Sequence, residues 1–410
     1  MHPDDPASDV HHDLPWPDAR RRAADAGTAR AAVRPTQSLP IDATVGLVLA
    51  QDVPALVDVP TFDTAAMDGW AVRGEGPWQV VGEGRAGHPA GSIETGQAVR
   101  ISTGAVVPNH SGVLRTEHGL EADGVVASTT GRTAPSPGTD TRSAGEEVRA
   151  GEQILAAGTV LTPPAVGLAA AAGIDSWTIV SRPTVTLLVL GDELVDRGVP
   201  GAGQVRDALS PQLPGWVEAL HGTISSADRV TDTLDATMAV LAQSDTDVVI
   251  TTGGTAGGRA DHVRESLTGL GGHWLVDGVA VRPGHPMKLG ELPDGRLWIA
   301  LPGNPLAAVS ALVTLGEPLF GAISGRLGDG AAEVFRPLAE PMESSPGAHR
   351  LIPARILDGR VVPMLRRGPA MLTGLAGADV LAVVPPAPDR LETGDPVSVL
   401  PLPWGAGLVV

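Results

Sequence analysis

Two turns shaped by glycine and proline are the parts of this sequence best suited to chemistry. The apolar run Val248–Thr252 leads into a glycine-rich stretch that ends at Asp261, and a second apolar run ends in Leu301-Pro-Gly-Asn-Pro305. Turns between a buried strand and a helix bring backbone N–H groups close to an oxyanion, with the helix dipole behind them. The pattern predicts an oxyanion- or phosphate-binding α/β site. It lacks the Gly-Lys-Ser/Thr of a P-loop and the G-x-G-x-x-G spacing of a dinucleotide fold.

Carboxylates recur at the predicted turns, namely at Asp63, Asp68, Glu146, Glu147, Asp192, Glu193, Asp207 and Asp261. An acidic group where a strand meets a loop is a candidate Mg²⁺ ligand, because this ion takes oxygen donors and keeps several waters. The alternative is that these residues cap helices or lie in solvated turns. Asp192, Glu193 and Asp261 are the stronger candidates, since each follows a buried strand or the glycine-rich turn.

A basic segment, Arg282-Pro-Gly-His-Pro-Met-Lys288, offers three cations around a Pro-Gly turn. Arg282 would supply a bidentate fork and Lys288 a point charge, with His285 between them, so the segment is a candidate oxyanion site. The alternative is a solvated basic loop.

Composition limits the function classes. With 410 residues, 42% of them hydrophobic, the chain predicts two to four globular domains. A net charge of −18 and 3% aromatic residues disfavour binding to nucleic acid or to an anionic membrane. The absence of cysteine excludes disulfides and thiolate chemistry. We expect a cytoplasmic protein, because the longest apolar stretches noted, Ala165–Gly173 and Val185–Leu190, are too short to span a bilayer and the N-terminus has no signal-peptide pattern.

Hydrophobic periodicity predicts the elements that position these residues. Short β-type runs from Ser38 to Gly158 predict a small all-β domain, with an exposed loop at 129–147. From Thr184 strands and helices alternate, which predicts a doubly wound parallel sheet whose site lies at the carboxyl ends of its strands. After Gly330 short strands return. Helices are predicted at Asp18–Val33, Pro163–Gly173, Pro211–His221, Asp232–Gln243, Asp261–Leu267 and Leu306–Gly321, and strands at Val185–Leu190, Thr223–Ser226, Val248–Thr252, Leu297–Ala300, Val361–Leu365, Val380–Val384 and Pro396–Leu400.

Six segments, in order, resemble the molybdopterin molybdenumtransferases, the MoeA family that includes the gephyrin E domain. They lie at 60–73, 99–108, 191–194, 251–261, 282–286 and 301–305. The resemblance implies a multidomain α/β plus β fold. A central doubly wound MogA-like α/β domain (177–326) would be joined by a small inserted β domain (51–147), an extended linker domain (16–50 with 148–176) and a C-terminal small β-barrel domain (327–410), after a loose tail (1–15).

The same resemblance implies the reaction and its site. The reaction would be Mg²⁺-dependent insertion of molybdate into adenylylated molybdopterin with release of AMP. The protein would be a homodimer, with other proteins of molybdenum cofactor biosynthesis as candidate partners. Catalytic residues would be Asp68, Glu193, Asp207 and Asp261, and metal ligands Asp207, Asp261, Glu193 and Glu147. Residues expected to bind molybdopterin or molybdate are Thr103, Gly253, Gly254, Arg282, His285, Lys288, Pro302, Gly303, Asn304, Pro305 and Arg350.

Several positions depart from the family pattern and lose hydrogen-bonding groups. Ala65 stands where the family has serine, Val189-Leu190 replaces Ser-Thr, and Gly368-Pro369 replaces Gly-Ser. A hydrogen bond contributes roughly 0.5–1.5 kcal/mol, so several losses together would weaken ligand binding strongly. Two hypotheses follow: a transferase with an altered pocket, or a catalytically impaired paralogue that acts as a molybdopterin-binding or scaffold protein. A pterin adenylyltransferase is disfavoured, because the flanking β domains and the Met-Asp-Gly motif are those of the transferase.

Overall fold

The computed structural model describes residues 13–129, 133–254, 262–326 and 334–404. The chain forms two units. One comprises residues 38–179, and the other comprises the segment before residue 38 together with everything from residue 180 onward. The first is built of short strands, and the second combines an α/β sheet with a second β-sheet. The expectation of a multidomain α/β plus β fold is therefore confirmed.

The chain begins with strand β1 (Leu14–Pro15) and helix α1 (Trp16–Ala31), both in the larger unit. Pro17 lies in the first turn of α1, where a missing N–H costs no hydrogen bond. Trp16, Ala19, Ala23 and Gly27 are buried, and their spacing places them on one face of the helix. The predicted helix Asp18–Val33 is confirmed, and the observed helix begins and ends two residues earlier.

The smaller unit holds most of the next strands, which are bounded by glycine- and proline-rich turns. They are β2 (Thr36–Pro40), β3 (Val48–Leu49), β4 (Val53–Pro54), β5 (Thr64–Ala65), β6 (Gly69–Val72), β7 (Trp78–Gly84), β8 (Gln97–Ile101), β9 (Gly112–Arg115), β10 (Gly119–Ala122), β11 (Val125–Ser128), β12 (Thr141–Arg142), β13 (Gln153–Leu155) and β14 (Ser176–Val180), with helix α2 (Pro163–Ala171). The principal sheet has the order β10-β11-β7-β8-β6-β9. Trp78 is almost wholly buried against it, and its indole N–H donates to the carbonyl of Gly74 at 3.0 Å.

The larger unit contains the alternating elements expected from Thr184 onward. They are β15 (Thr184–Leu190), β16 (Leu194–Val195), β17 (Val205–Arg206), α3 (Leu213–Ala219), β18 (Thr223–Val230), α4 (Leu234–Gln243), β19 (Val248–Thr252), α5 (His262–Gly269), β20 (His273–Asp277), β21 (Val279–Arg282), β22 (Lys288–Glu291), β23 (Leu297–Leu301), α6 (Pro305–Ala311) and α7 (Glu317–Ile323).

Six of these strands form one sheet in the order β18-β15-β19-β23-β22-β20. The first four are parallel, and β15, β19 and β23 are buried almost throughout, as expected for strands covered on both faces. The expectation of a parallel sheet is wrong at one edge, because β22 pairs antiparallel with both of its neighbours, β23 and β20. Neither strand was predicted. The short strand β22 contains Lys288, Gly290 and Glu291, and β20 has only three apolar residues between His273 and Asp277.

A single helical stretch, Pro305–Ile323, runs through α6, a π-helical turn and α7. By length and composition it could cross a membrane, which the sequence analysis overlooked, but 78% of its most apolar window is buried within the protein. Helix α1 packs against it: the Trp16 indole N–H donates to Thr314 Oγ1 at 3.0 Å. At Gly27 a Cβ would lie 2.5 Å from the carbonyl oxygen of Leu319, so only glycine allows this approach. The stretch is therefore a core helix.

The chain ends in strands β24 (Val334–Pro337), β25 (His349–Leu357), β26 (Arg360–Pro363), β27 (Val380–Val384) and β28 (Pro396–Pro401), with helix α8 (Thr373–Ala376). The sheet order is β1-β21-β25-β27-β28-β24, and β26 pairs with β25. Strand β21 therefore belongs to this sheet and not to the α/β sheet. Its parallel pairing with β25 brings the segment that begins at Arg282 beside the C-terminal strands.

Candidate functional site

The two predicted turns lie side by side at the carboxyl ends of β19 and β23. Gly253 and Gly254 have φ values of 91° and 67°, which favour glycine. The Gly253 N–H donates to the carbonyl of Leu301 at 3.0 Å. A Cβ on Gly303 would lie 3.7 Å from the Gly253 Cα, so the backbones of the two turns are close together. Asp261, the acidic residue expected in this turn, lies outside the described residues.

The turn Leu301–Pro305 does not offer the first N–H groups of its helix to an anion. The N–H groups of Leu306 and Ala307 donate to the carbonyl of Pro369 at 2.9 and 3.2 Å. This part of the oxyanion hypothesis needs correction, because a backbone carbonyl already occupies the helix start. Four residues of the turn were expected at the site: Pro302 is buried, Gly303 and Asn304 are exposed, and Pro305 is partly buried.

Two further acidic residues flank the short parallel pair β16–β17, Glu193 before it and Asp207 after it. The carbonyl of Glu193 accepts a hydrogen bond from the N–H of Val205, and Asp207 N–H donates to the carbonyl of Val195, both at 2.9 Å. The Glu193 side chain is exposed, whereas Asp207 is 7% exposed.

Hydrogen bonds hold one oxygen of Asp207. Its Oδ1 accepts from the N–H groups of Leu209 and Ser210 at 2.9 and 3.0 Å. Burial acts to raise the pKa of Asp207, but the hydrogen bonds from Ser210 and Leu209, with Arg229, outweigh it and the pKa is lowered. Asp207 therefore remains ionised at neutral pH.

A cavity of about 450 Å³ opens beside Asp207. It is lined by strands β15 and β18 and by the side chains of Arg197, Arg206 and Arg229. Arg229 also donates to the carbonyls of Gly191 and Leu194, which fixes the segment that carries Glu193. The cavity combines carboxylates with guanidinium groups and so fits a polar ligand bearing phosphate.

Asp232 belongs to this edge of the sheet, although the sequence analysis treated it only as the start of a helix. It follows β18, and a Cβ on Gly254 would lie 3.7 Å from its Oδ1. That oxygen is buried and has no hydrogen-bond partner among the described residues. Burial raises the pKa of Asp232 and so do the negative charges of Asp192 and Glu193, while His262 acts in the opposite direction. A carboxylate with one buried, unpartnered oxygen and a raised pKa is typical of a functional site.

The acidic residues at the ends of these strands include oxygen donors of the kind that Mg²⁺ uses. In the described ranges no three His, Asp or Glu side chains come close enough together to hold a metal ion. Mg²⁺ usually takes one or two carboxylates and fills its remaining positions with water and substrate oxygens. The buried, unpartnered oxygen of Asp232 beside the charge of Glu193 meets that requirement. The residues present therefore fit a hard divalent cation.

The expected basic residues divide into two groups. Arg282 and Arg350 occupy paired positions on β21 and β25, and His285 lies in the turn that follows β21. Lys288 is instead on β22, where its buried ammonium pairs with Asp277 and lies 5.8 Å from the ring centroid of Trp274. Its charge is thus neutralised within the protein, whereas Arg282 and Arg350 have no carboxylate within salt-bridge distance in the described part of the chain.

In the smaller unit, Asp68 and Thr103 contact each other as a pair. Asp68 Oδ1 accepts from the Thr103 N–H at 2.6 Å and from its hydroxyl at 2.9 Å. These hydrogen bonds, the backbone one first, lower the pKa of Asp68. Glu147 is exposed, and its N–H donates to the carbonyl of Val59 at 3.0 Å. Asp68 is therefore an ordered carboxylate on the surface of its unit.

Family models match most of the chain. Residues 15–173 match the MoeA N-terminal region (domain I and II), residues 186–322 a probable molybdopterin binding domain, and residues 336–402 the MoeA C-terminal region (domain IV). These ranges agree with the resemblance drawn from the six sequence segments.

Curated relatives and a solved structure extend the match. The chain is 32% identical to a molybdopterin molybdenumtransferase of Haemophilus influenzae, over 71% of this chain and 74% of that protein. It is 31% identical to molybdopterin molybdenumtransferase 2 of Mycobacterium tuberculosis, over 85% of this chain and 90% of that one. The molybdopterin biosynthesis moeA protein of Pyrococcus horikoshii OT3 shares the fold, with a TM-score of 0.80 over 95% of this chain and all of that chain at 22% identity.

Proposed function

The chain belongs to the molybdopterin molybdenumtransferase family, and on that premise we propose that it joins molybdate to the dithiolene of adenylylated molybdopterin and releases AMP. This reaction is a step of molybdenum cofactor biosynthesis. One observation supports the proposal above all. The turns at Gly253 and Gly303 lie next to each other, and Asp232, whose Oδ1 has no hydrogen-bond partner in the described residues, lies beside Gly254. The proposal favours the enzyme over a scaffold protein, because a surface kept only for binding would not need to retain a buried carboxylate with an unpartnered oxygen.

The residues of this chain divide the work. Asp232 and Glu193 would hold Mg²⁺, with Asp207 and Asp261 completing the acidic set. When bound, this ion would neutralise phosphate charge as AMP leaves. Arg206 and Arg229 line the cavity beside Asp207 and would bind the phosphate oxygens of the substrate.

Molybdate would be held by the basic residues of β21 and β25, Arg282 and Arg350, with His285 beside them. Guanidinium groups without a carboxylate partner suit a dianion. Glycine at 253 and 254 lets this turn pack closely against Leu190 and Val263, and both glycines are proposed as ligand-binding residues on the resemblance. On the resemblance alone, Asp68 is proposed as a catalytic residue, Thr103 as a ligand-binding residue and Glu147 as a metal ligand. Lys288 is proposed to support the molybdate site through its ion pair with Asp277.

Other features of the family are proposed for this chain on the resemblance alone. They are a homodimeric assembly, a cytoplasmic location, contact with other proteins of molybdenum cofactor biosynthesis, and the domain boundaries given above. Sedimentation of the purified protein would test the dimer.

The reaction is tested by incubating the purified protein with adenylylated molybdopterin and Mg²⁺, adding molybdate, and measuring AMP by chromatography. We expect AMP release that requires molybdate. Binding of adenylylated molybdopterin without any molybdate-dependent AMP release would contradict the transferase proposal and favour the scaffold hypothesis.

A variant sharpens this test. Glu193→Gln removes one carboxylate from the acidic set and should slow AMP release about tenfold to hundredfold, because hydrogen bonds and metal contacts of a charged group contribute roughly 1.5–3 kcal/mol. Asp245→Asn, an exposed residue before β19, is the matched control and should keep the wild-type rate. Equal rates for both variants would remove Glu193 from the site.

A further inference from the structure

The loop between β26 and α8, residues 364–372, carries a cation that the motifs do not identify. Strand β26 pairs antiparallel with β25, with Ala354 opposite Pro363. The next rung is also made, since the Met364 N–H donates to the carbonyl of Pro353 at 2.9 Å. Further along, the same side of β25 is occupied by β21, which sets Arg282 opposite Arg350. The loop therefore leaves the sheet beside Pro353, on the same side of β25 as the Arg350–Arg282 pair.

The loop is fixed at its far side as well. The carbonyl of Pro369 accepts the N–H groups of Leu306 and Ala307, at the start of the helix that follows the Leu301–Pro305 turn. A Cβ on Gly374 would lie 2.1 Å from the carbonyl oxygen of Arg366, so only glycine lets the loop fold so tightly. The loop that carries Arg367 is therefore anchored to β25 at Met364 and to the start of α6 at Pro369.

Few negative groups lie near the guanidinium groups of Arg282, Arg350 and Arg367. Within the described residues, no carboxylate lies within salt-bridge distance of Arg282, Arg350 or Arg367. Arg350 donates to the backbone carbonyl of Glu343 at 2.7 Å, and Arg367 makes only a long contact of 3.4 Å to the carbonyl of Met364. Burial, followed by the charge of Arg367, lowers the pKa of Arg350, while Glu343 acts in the opposite direction. Like charges held together without partners are stabilised by an anion.

We propose that Arg367 is a further oxyanion-binding residue, which with Arg350 and Arg282 forms a three-guanidinium site for molybdate. This inference rests on the proposed function and adds a residue to its molybdate site. It also explains how the chain can do without the hydroxyl that Pro369 replaces: the charge of Arg367 supplies the missing contact from two residues away. A bidentate guanidinium contact to a dianion is stronger than the hydroxyl hydrogen bond it replaces.

A tetrahedral dianion at this site could come from molybdate or from a phosphate monoester, and the two are distinguished by separate binding measurements. Equilibrium dialysis with molybdate alone, and in parallel with AMP alone, is carried out on the full-length protein. Arg367→Gln should weaken molybdate binding about tenfold to hundredfold and leave AMP binding unchanged. Arg367→Lys, which keeps the charge but loses the fork, should recover part of the affinity.

The matched control is Arg366→Gln, which removes a neighbouring exposed cation from the same loop. It should bind molybdate like the wild type, which excludes a general effect of net charge, and a circular dichroism melt of each variant excludes unfolding. Wild-type molybdate affinity in Arg367→Gln overturns the inference, as does a loss confined to AMP. If the wild-type protein neither binds molybdate nor releases AMP, the proposed function itself fails, so the two failures are distinguishable.

Discussion

Two partly buried aspartates lie at opposite ends of the parallel strands of one sheet, and their surroundings differ. The end where these strands begin is called the amino edge here, and the end where they finish is called the carboxyl edge. Asp247 lies before β19, at the amino edge. It accepts hydrogen bonds from the Thr184 N–H and hydroxyl, each at 2.8 Å, and an ion pair from Arg34 at 2.5 Å. Asp232 lies after β18, at the carboxyl edge, and its buried Oδ1 has no partner in the described residues. At the amino edge the protein's own groups therefore satisfy the carboxylate. At the carboxyl edge one carboxylate oxygen is left for a ligand.

The pKa directions of the two residues follow from these contacts. Burial acts to raise the pKa of Asp247, but the hydrogen bonds from Thr184 and the charge of Arg34 outweigh it and the pKa is lowered. For Asp232, burial and the nearby Asp192 and Glu193 raise the pKa despite His262. Ionised Asp247 therefore stabilises the fold, whereas ionised Asp232 destabilises it in the absence of ligand.

The largest effect is expected for Asp247→Asn. Arg34 is 6% exposed at its side chain, and removing the charge of its partner leaves a buried cation uncompensated. Such a change costs about 3–5 kcal/mol of unfolding free energy, which should lower the melting temperature of the larger unit by several degrees. Asp245→Asn, two residues earlier and exposed, should melt like the wild type. Equal melting temperatures for the two variants would contradict the structural role of Asp247.

The pH dependence of stability provides a second measure of Asp247. Because its folded pKa is lowered, its contribution is fully present above the ordinary value of 3.8 and is lost as the pH falls through the folded pKa. The difference in unfolding free energy between wild type and Asp247→Asn should therefore be constant from pH 5 to 7 and shrink below about pH 4. A difference that stays constant down to pH 2 would exclude this explanation.

Asp232→Asn is expected to act in the opposite direction on stability. The raised pKa means that folding is favoured by protonation, so stability is greatest below the unfolded value of 3.8 and declines as the pH rises through the folded pKa. Replacing the carboxylate with an amide should raise the free energy of unfolding at pH 7, by up to about 1 kcal/mol. AMP release should fall about tenfold to hundredfold, since the proposed metal ligand is lost.

A thermal melt and the AMP assay on the same preparation check Asp232→Asn. A variant that is both less stable and fully active would place Asp232 among the structural residues, beside Asp247. A gain of stability with loss of activity would confirm the contrast between the two edges.

Sequence alone predicted the position of the site but not all of its members. The buried run Val248–Thr252 and its glycine turn are local patterns, and the structure has the strand at the predicted residues. Asp232 was missed because β18 was expected to end at Ser226, before the charged pair Asp228-Arg229. The strand in fact continues to Val230, through pairing with β15 that depends on residues distant in sequence. If β18 had been given the length of β15, its partner strand, Asp232 would have been predicted to lie just after the carboxyl end of β18.

Lys288, in contrast, was predicted at the oxyanion site but does not lie there as a free cation. Its spacing from Arg282 suggested a third cation at the turn, but the antiparallel pairing of β22 with β20 sets it opposite Asp277. Arg264 also contacts Asp277, at 2.5 Å, so the carboxylate is shared by two cations. Nothing in the local sequence reveals such a pairing between separate strands. Arg367 was likewise missed, because its position depends on the register of β26 against β25.

The smallest effect is expected at the N-terminal segment, where Asp13 contacts a proposed molybdate-binding residue. Its Oδ2 lies 3.4 Å from His285 Nε2. A Cβ on Gly278 would lie 2.6 Å from Asp13 Oδ1, so the absence of a side chain at Gly278 admits the carboxylate. A negative charge at this place competes with an oxyanion for His285. Asp13→Asn should therefore bind molybdate more tightly, by up to about fivefold, since exposed ion pairs contribute roughly 0.2–1 kcal/mol.

Asp18→Asn is the matched control for Asp13→Asn. Asp18 is an acidic residue of α1 whose partner is Arg21, at 3.0 Å, so its loss changes net charge equally without touching the turn. If the two variants gain the same affinity, the effect is one of net charge alone. Weaker molybdate binding by Asp13→Asn would mean that Asp13 orients His285 for the anion. In that case Asp13 would support the proposed molybdate site and would not compete with the anion.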